Sequence, residues 1–239
     1  MKEQNTNNSV YLSAPVNALV QGYYQQNTTV AEIEGHGDFG LGTFNNLDGE
    51  MVILDNVVYQ VKSDGSTTTV RDEEETPFAC VTFFSPDTME DIDGGLMKVS
   101  LEELLSNLIP SPNMLYAIKI EGEFEYIKTR SVPRQENYRP LVEVAREQPT
   151  FEYRDIRGTL GGFFTPQFMG SLNVPGYHLH FISEDLTRGG HLLECRYKLI
   201  SIGLQHIPKL EVGLPLTIDY MTADLDTDVR KELEEAENN

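Results

Sequence analysis

The sequence predicts an α+β fold that is mainly β, with mixed or antiparallel sheets, an open β-barrel and few short helices. Short apolar or alternating runs bounded by turn residues recur along the chain, while helical periodicity is confined to brief stretches. Strands and helices also lack the regular alternation that builds a parallel βαβ sheet.

Taken in order, residues 1–9 are polar and expected to fray. Ser13-Ala14-Pro15 sets a capping side chain ahead of a proline, and Val16, Leu19, Val20 and Tyr23 recur at helical spacing, so a short amphipathic helix is expected. Gly35, Gly37, Gly40 and Gly42 make a glycine-rich run. No Gly-Lys-Ser/Thr and no strand-loop-helix frame follows, which argues against a phosphate loop. Residues Leu47 to Val61 read as paired strands, with Asp48-Gly49 and Asp55-Asn56 as turns. The acidic run Asp72 to Glu75 suits a solvated loop. A strand is expected at 78–84, then a polar loop, then a helix opened by the capping box Ser100/Glu103, running to about Leu108 and ended by Pro110. Further strands are expected at 114–121, 124–129, 141–144, 158–164, 176–183, 191–202 and 209–214. Residues 225–237 permit a charged helix anchored by Val229 and Leu233. The chain is expected to form one unit over 1–239, with an N-terminal sheet region of about 10–130 and a C-terminal barrel region of about 131–239.

Bulk properties bound the function. With 38 acidic against 18 basic residues the formal net charge is -20, a field that repels phosphate backbones and anionic membranes. Neither nucleic acid nor a membrane is therefore an expected partner, and an anionic small molecule would need a local cation. No apolar run reaches the ~18–20 residues of a membrane span, and residues 1–10 lack the apolar core of a signal peptide. Two cysteines, Cys80 and Cys195, fit a reduced compartment, so a cytoplasmic chain is expected.

The segment from Gly176 to His191 holds three of the five histidines. On a strand His178 and His180 share a face, and a turn at Glu184-Asp185-Leu186-Thr187 would set His191 directly opposite His180. Cross-strand Cβ atoms about 4.5–5.5 Å apart let these imidazoles reach one metal. Imidazole suits zinc, copper, iron and nickel, and three histidines with an open fourth position are the makings of a catalytic zinc site. Cys195, counted by alternation, falls on the same face but two pairs further along, which favours a water-bearing position over closure by sulfur. His36 and His206 read as structural.

Six segments stand out in order: Gly37-Asp-Phe-Gly-Leu-Gly-Thr-Phe, Leu47-Asp-Gly-Glu50, Tyr116-Ala-Ile-Lys-Ile-Glu-Gly, Lys128-Thr-Arg-Ser-Val-Pro, Gly158-Thr-Leu-Gly-Gly-Phe-Phe-Thr-Pro, and Gly176-Tyr-His-Leu-His-Phe-Ile-Ser-Glu-Asp with Gly189-Gly-His191. Together they resemble the α-acetolactate decarboxylase family over nearly the whole chain. The resemblance implies a homodimeric zinc lyase that converts 2-acetolactate, a 2-hydroxy-3-keto acid, to acetoin and carbon dioxide. It also implies His178, His180 and His191 as metal ligands, with Glu50, Arg130 and Glu237 completing the site. Glu232, Glu234 and Glu235 rival Glu237 in the tail, and Arg154, Arg157 and Arg188 rival Arg130 by residue type alone.

Two other readings stay open on sequence. His178-x-His180-x3-Glu184 matches the first half of a cupin motif, in which Glu184 is a ligand and iron or manganese supports oxygenase or isomerase chemistry. The hairpin could instead staple a non-enzymatic β-rich module.

Overall fold

The structure, a computed structural model, describes residues 8–96, 99–137 and 139–238. The first half of the chain supplies β1 (Ser9–Leu12), β2 (Thr28–Thr29), β3 (Phe39–Thr43), β4 (Glu50–Leu54), β5 (Val57–Val61), β6 (Thr67–Thr69), β7 (Glu75–Thr76), β8 (Ala79–Thr82) and β9 (Thr88–Asp93). The second half adds β10 (Leu115–Arg130), β11 (Thr150–Thr165), β12 (Gly176–Ser183), β13 (Gly189–Ile207) and β14 (Lys209–Val212). The helices are short: α1 (Val16–Val20), α2 (Val30–Glu34), α3 (Leu101–Leu108), α4 (Leu141–Ala145), α5 (Ile218–Thr222) and α6 (Arg230–Asn238). The mainly β, α+β expectation holds.

Two sheets dominate. A seven-stranded sheet runs β14-β1-β8-β3-β4-β5-β6, and a five-stranded sheet runs β10-β11-β12-β13-β9. The first is mixed because β1 and β14 are parallel. In the second, β10 also pairs with β13, so β10, β11, β12 and β13 form a ring of antiparallel pairings. The sheets exchange strands across the expected 130/131 boundary: β10 precedes it yet lies in the second sheet, and β14 follows it yet joins the first.

Local chemistry explains most elements. Asp55 and Asn56 both hold positive φ (51° and 64°), the backbone of a tight turn whose twist matches the strands it joins, β4 and β5. Ser100 Oγ accepts the Glu103 N–H at 3.1 Å and starts α3 as the capping box predicts. Val229 and Leu233 are buried and anchor α6. At Gly162 a Cβ would lie 2.0 Å from the His178 main-chain oxygen, so glycine lets β11 approach the strand that carries the histidines.

Other expectations are corrected. The expected strand at 141–144 is helix α4, because Leu141, Val144 and Ala145 recur at helical spacing and all three are buried. A four-residue apolar run does not distinguish the two. The two strands expected at 114–121 and 124–129 are one 16-residue strand, β10, which passes through Gly122 at φ 151° and is paired on both sides. Helix α1 starts at Pro15 without a side-chain cap, and all five of its residues are buried, so it is not amphipathic. Ser13 Oγ accepts the Ala79 N–H instead. The polar loop expected after residue 84 contains β9, an edge strand on β13 that exposes Glu90, Asp91 and Asp93. Such charges keep an edge from pairing further. Of the expected frayed segment, residues 1–7 lie outside the described residues, and β1 begins at Ser9.

One apolar core lies between the sheets, where Phe39, Leu41, Val52 and Leu54 meet Phe163 and Ile182. A second packs Leu101, Leu104 and Leu105 of α3 against Tyr116, Ile118 and Ile120 of β10. The facing sheets bring the start of β4 up to the hairpin β12–β13 and the end of β10.

Candidate active site

The hairpin forms in the expected register, with His180 opposite His191. Its turn is tied locally: Ser183 Oγ donates to Asp185 at 2.6 Å and accepts the Arg188 N–H at 3.1 Å, and Leu186 takes φ 58°. His178, His180 and His191 are all buried, and one ring nitrogen from each falls within 4.8 Å of the others.

These residues fit a metal. His180 Nδ1 lies 2.7 Å from the Met51 main-chain oxygen. A carbonyl only accepts, so Nδ1 carries the proton and Nε2 presents a lone pair to the cluster. His178 Nε2 is 3.2 Å from that atom, close to the roughly 3.4 Å separating two tetrahedral ligands at zinc–nitrogen bond lengths. Burial, aided by the Arg130 charge, pushes His178 down to about 3. Burial first, then neighbouring positive groups, holds His180 and His191 well below the ordinary histidine value. Neutral imidazoles in a dry pocket are prepared ligands.

Arg130, at the end of β10, stands opposite His191 and is buried. Its Nη1 donates to the Ala236 carbonyl of α6, Nη2 lies 3.7 Å from Glu237 Oε2, and Nε is buried without a hydrogen-bond partner among the described residues. Glu50 follows Gly49, whose φ of 91° turns the chain into β4. Glu50 Oε2 is 3.6 Å from His180 Nε2, and burial raises its carboxyl to about 8 against the lowering pull of Arg130. Glu237 enters from α6, with Oε2 at 3.6 Å from His191 Nε2 and 3.8 Å from His178 Nε2. Burial raises this carboxyl too, and Arg130 opposes the rise. Outside the pocket, Arg146 pairs with Glu235 and ties α6 down beside α4. All six sequence-predicted residues therefore line one pocket of about 520 Å³, part of it open to solvent.

The rivals lie elsewhere. Cys195 is opposite Ile127 and packs in the α3-side core. The register shift between Lys128 and Thr129 leaves Leu193 as an extra residue, which reverses the alternation and sends Cys195 to the far face. Glu184 is exposed in the turn, 3.4 Å from Arg157 Nε, so the cupin-type ligand set does not assemble. Arg154 and Arg188 sit over the rings of Tyr126 and Tyr153. Glu232, Glu234 and Glu235 are exposed on α6. His36 stacks on Tyr11, and His206 pairs with Asp87.

Sequence reasoning missed the apolar wall of Val16, Leu19, Leu141 and Ala145, the Met51 carbonyl, and Gln148. A main-chain acceptor has no residue-type signal. Reading 141–144 as a strand hid the wall and the glutamine just beyond it.

The sequence model of the alpha-acetolactate decarboxylase family matches residues 10–227. The chain belongs to that family. The decarboxylase of Raoultella terrigena is 41% identical over 92% of this chain and 85% of its own length. That of Bacillus subtilis strain 168 is 37% identical over 95% of this chain and 90% of its own. A crystal structure of alpha-acetolactate decarboxylase from the same strain superposes with a TM-score of 0.91, covering 97% of this chain and all of that one at 35% identity. The family's name describes a carboxy-lyase.

Proposed function

We propose that this chain decarboxylates 2-acetolactate to acetoin, with zinc held by His178, His180 and His191. The observation that carries the reading is the convergence of three neutral imidazoles, one buried guanidinium and two buried carboxyls in a single pocket.

A dication held by these three histidines would supply Lewis-acid charge that stabilises the negative charge developing on the substrate. Arg130 holds the substrate carboxylate. Its Nη1 is engaged by Ala236, which leaves the Nε/Nη2 edge for two parallel hydrogen bonds. Loss of carbon dioxide sends the carbon–carbon bonding pair into the adjacent ketone and gives an enediolate. Glu50, protonated by virtue of its burial, delivers a proton to one face of that intermediate and so fixes one enantiomer of acetoin. Glu237 closes the pocket from α6 and shares the proton traffic. The apolar wall from α1 and α4 keeps water away, which strengthens each of these electrostatic contacts.

The chain acts as one unit, since one core draws from both sheets. The exposed apolar run Leu214, Leu216, Ile218 and Met221 supports a homodimer. The free thiols Cys80 and Cys195 support a cytoplasmic setting. Among the described residues, no helix is long and apolar enough to cross a membrane. Purified protein with its metal, given racemic 2-acetolactate, should form acetoin and carbon dioxide in equal amounts. Full metal content with no acetoin would overturn the reading.

A further inference from the structure

Gln148 is more than nine-tenths buried, and both its side-chain oxygen and its nitrogen lack a hydrogen-bond partner among the described residues. It lines the same pocket as Arg130 and the histidines. The hydroxyl of Thr43, also in the pocket wall, already donates to the Gly49 carbonyl at 2.7 Å. A primary amide taken out of water without partners is destabilising, and the neighbouring wall residues Leu141 and Ala145 are apolar. A side chain of that cost in that place is completed from within the pocket, by water or by a ligand.

The sheet register says which part of the ligand. Thr150, two residues beyond Gln148, pairs with Arg130 from the β11 side, while His191 pairs with Arg130 from the β13 side. Gln148 therefore reaches the pocket from the chain that leads into β11 beside Arg130, and the Ser131 N–H to Pro149 carbonyl bond at 3.3 Å holds that junction against β10. The guanidinium carries a second unpartnered buried donor, Nε. The unpartnered donors of Gln148 and Arg130 thus border the same pocket.

We propose that Gln148 is a substrate-contacting residue whose amide N–H donates to the substrate carboxylate beside Arg130, resting on the decarboxylase reading above. The group it recognises is the carboxylate of a 2-hydroxy acid. It makes no contact with the hydroxyl and ketone oxygens, which face the histidines.

The test compares wild-type zinc enzyme with Gln148→Leu and the near-isosteric Gln148→Glu. Three readouts are used: KM and kcat for 2-acetolactate, inhibition by 2,3-dihydroxy-2-methylbutanoate, which keeps the carboxylate but has no ketone to accept electrons, and inhibition by acetoin, which has no carboxylate. A lost hydrogen bond to a charged group predicts a KM and a dihydroxy-acid inhibition constant each roughly tenfold or more higher, with a larger rise for Gln148→Glu, whose charge repels the ligand. Acetoin inhibition should stay unchanged, and the melting temperature of Gln148→Leu should equal or exceed that of wild type once the unpaired amide is gone. Unchanged KM and dihydroxy-acid inhibition in both variants would overturn the proposal, as would an equal weakening of acetoin. If Gln148→Leu fails to fold, Gln148→Glu alone decides by the same comparison. A wild-type enzyme that makes no acetoin refutes the decarboxylase reading, whereas an active wild type with indifferent variants refutes only the role of Gln148.

Discussion

Arg130 and His191 stand directly opposite each other across β10 and β13. One strand pair thus carries both the buried guanidinium and a histidine of the candidate metal cluster, and His191 is in turn opposite His180. The relative placement of the proposed carboxylate-binding group and the proposed metal ligands is therefore built into sheet register, which is stiffer than a loop.

Replacing Arg130 by lysine keeps the charge and loses the planar fork. We expect Arg130→Lys to lower kcat/KM by roughly a hundredfold or more, in line with removal of an oriented donor. Metal content should stay intact, since no metal ligand is altered. Steady-state kinetics with metal analysis on the same sample checks this.

Glu50→Gln keeps size and removes the transferable proton. The expected outcome is turnover reduced by roughly a hundredfold or more with zinc still bound, and residual acetoin closer to racemic. Chiral chromatography of the product reads the second effect. Full turnover with one enantiomer would remove Glu50 from the proton role.

Helix α6 brings the Ala236 carbonyl and Glu237 to the guanidinium, yet it rests on few anchors, Val229 and Leu233 among them. A chain ending at Val229 should keep both sheets and their strand content by circular dichroism, melt a few degrees lower, and lose most of its activity. Retention of wild-type kcat would show that α6 is only a cover.

In metal-stripped protein the buried groups set the pH dependence. His178 lies near 3 when folded against 6.5 unfolded, so between those values the unfolded chain binds the extra proton and stability falls as pH falls. Glu50 has the opposite sign: at about 8 folded against 4.5 unfolded, the folded chain keeps a proton the unfolded chain releases, and stability falls as pH rises across that window. His180 and His191 add to the acid-side loss and Glu237 to the alkaline-side loss, so urea midpoints of the stripped protein should peak near pH 6.5 and decline on both sides. Glu50→Gln should flatten the alkaline limb, and an unchanged limb would contradict the burial assigned to Glu50.

The histidine hairpin was legible in the sequence because period-two spacing and a turn of four residues fix the register of His180 and His191 without long-range information. The capping box at Ser100 was legible for the same local reason. Arg130 and Glu50 came from resemblance, since no periodicity tells a buried arginine from a surface one. What stayed hidden is tertiary. The extra residue at Leu193 reverses the face of Cys195, α4 passes for a strand over four apolar residues, and the Met51 carbonyl that orients His180 belongs to a strand 129 positions away. Gln148 gave no signal, because an unpaired amide becomes notable only once it is buried.

The central claim is that one metal ion at His178, His180 and His191 drives the decarboxylation. Its most direct test titrates zinc into chelator-stripped, still-folded protein while acetoin formation is followed. The account predicts no turnover in the stripped state, recovery that saturates at about one zinc per chain, and no recovery in His178→Ala or His180→Ala. Turnover that survives complete metal removal, or full recovery in either histidine variant, would contradict it.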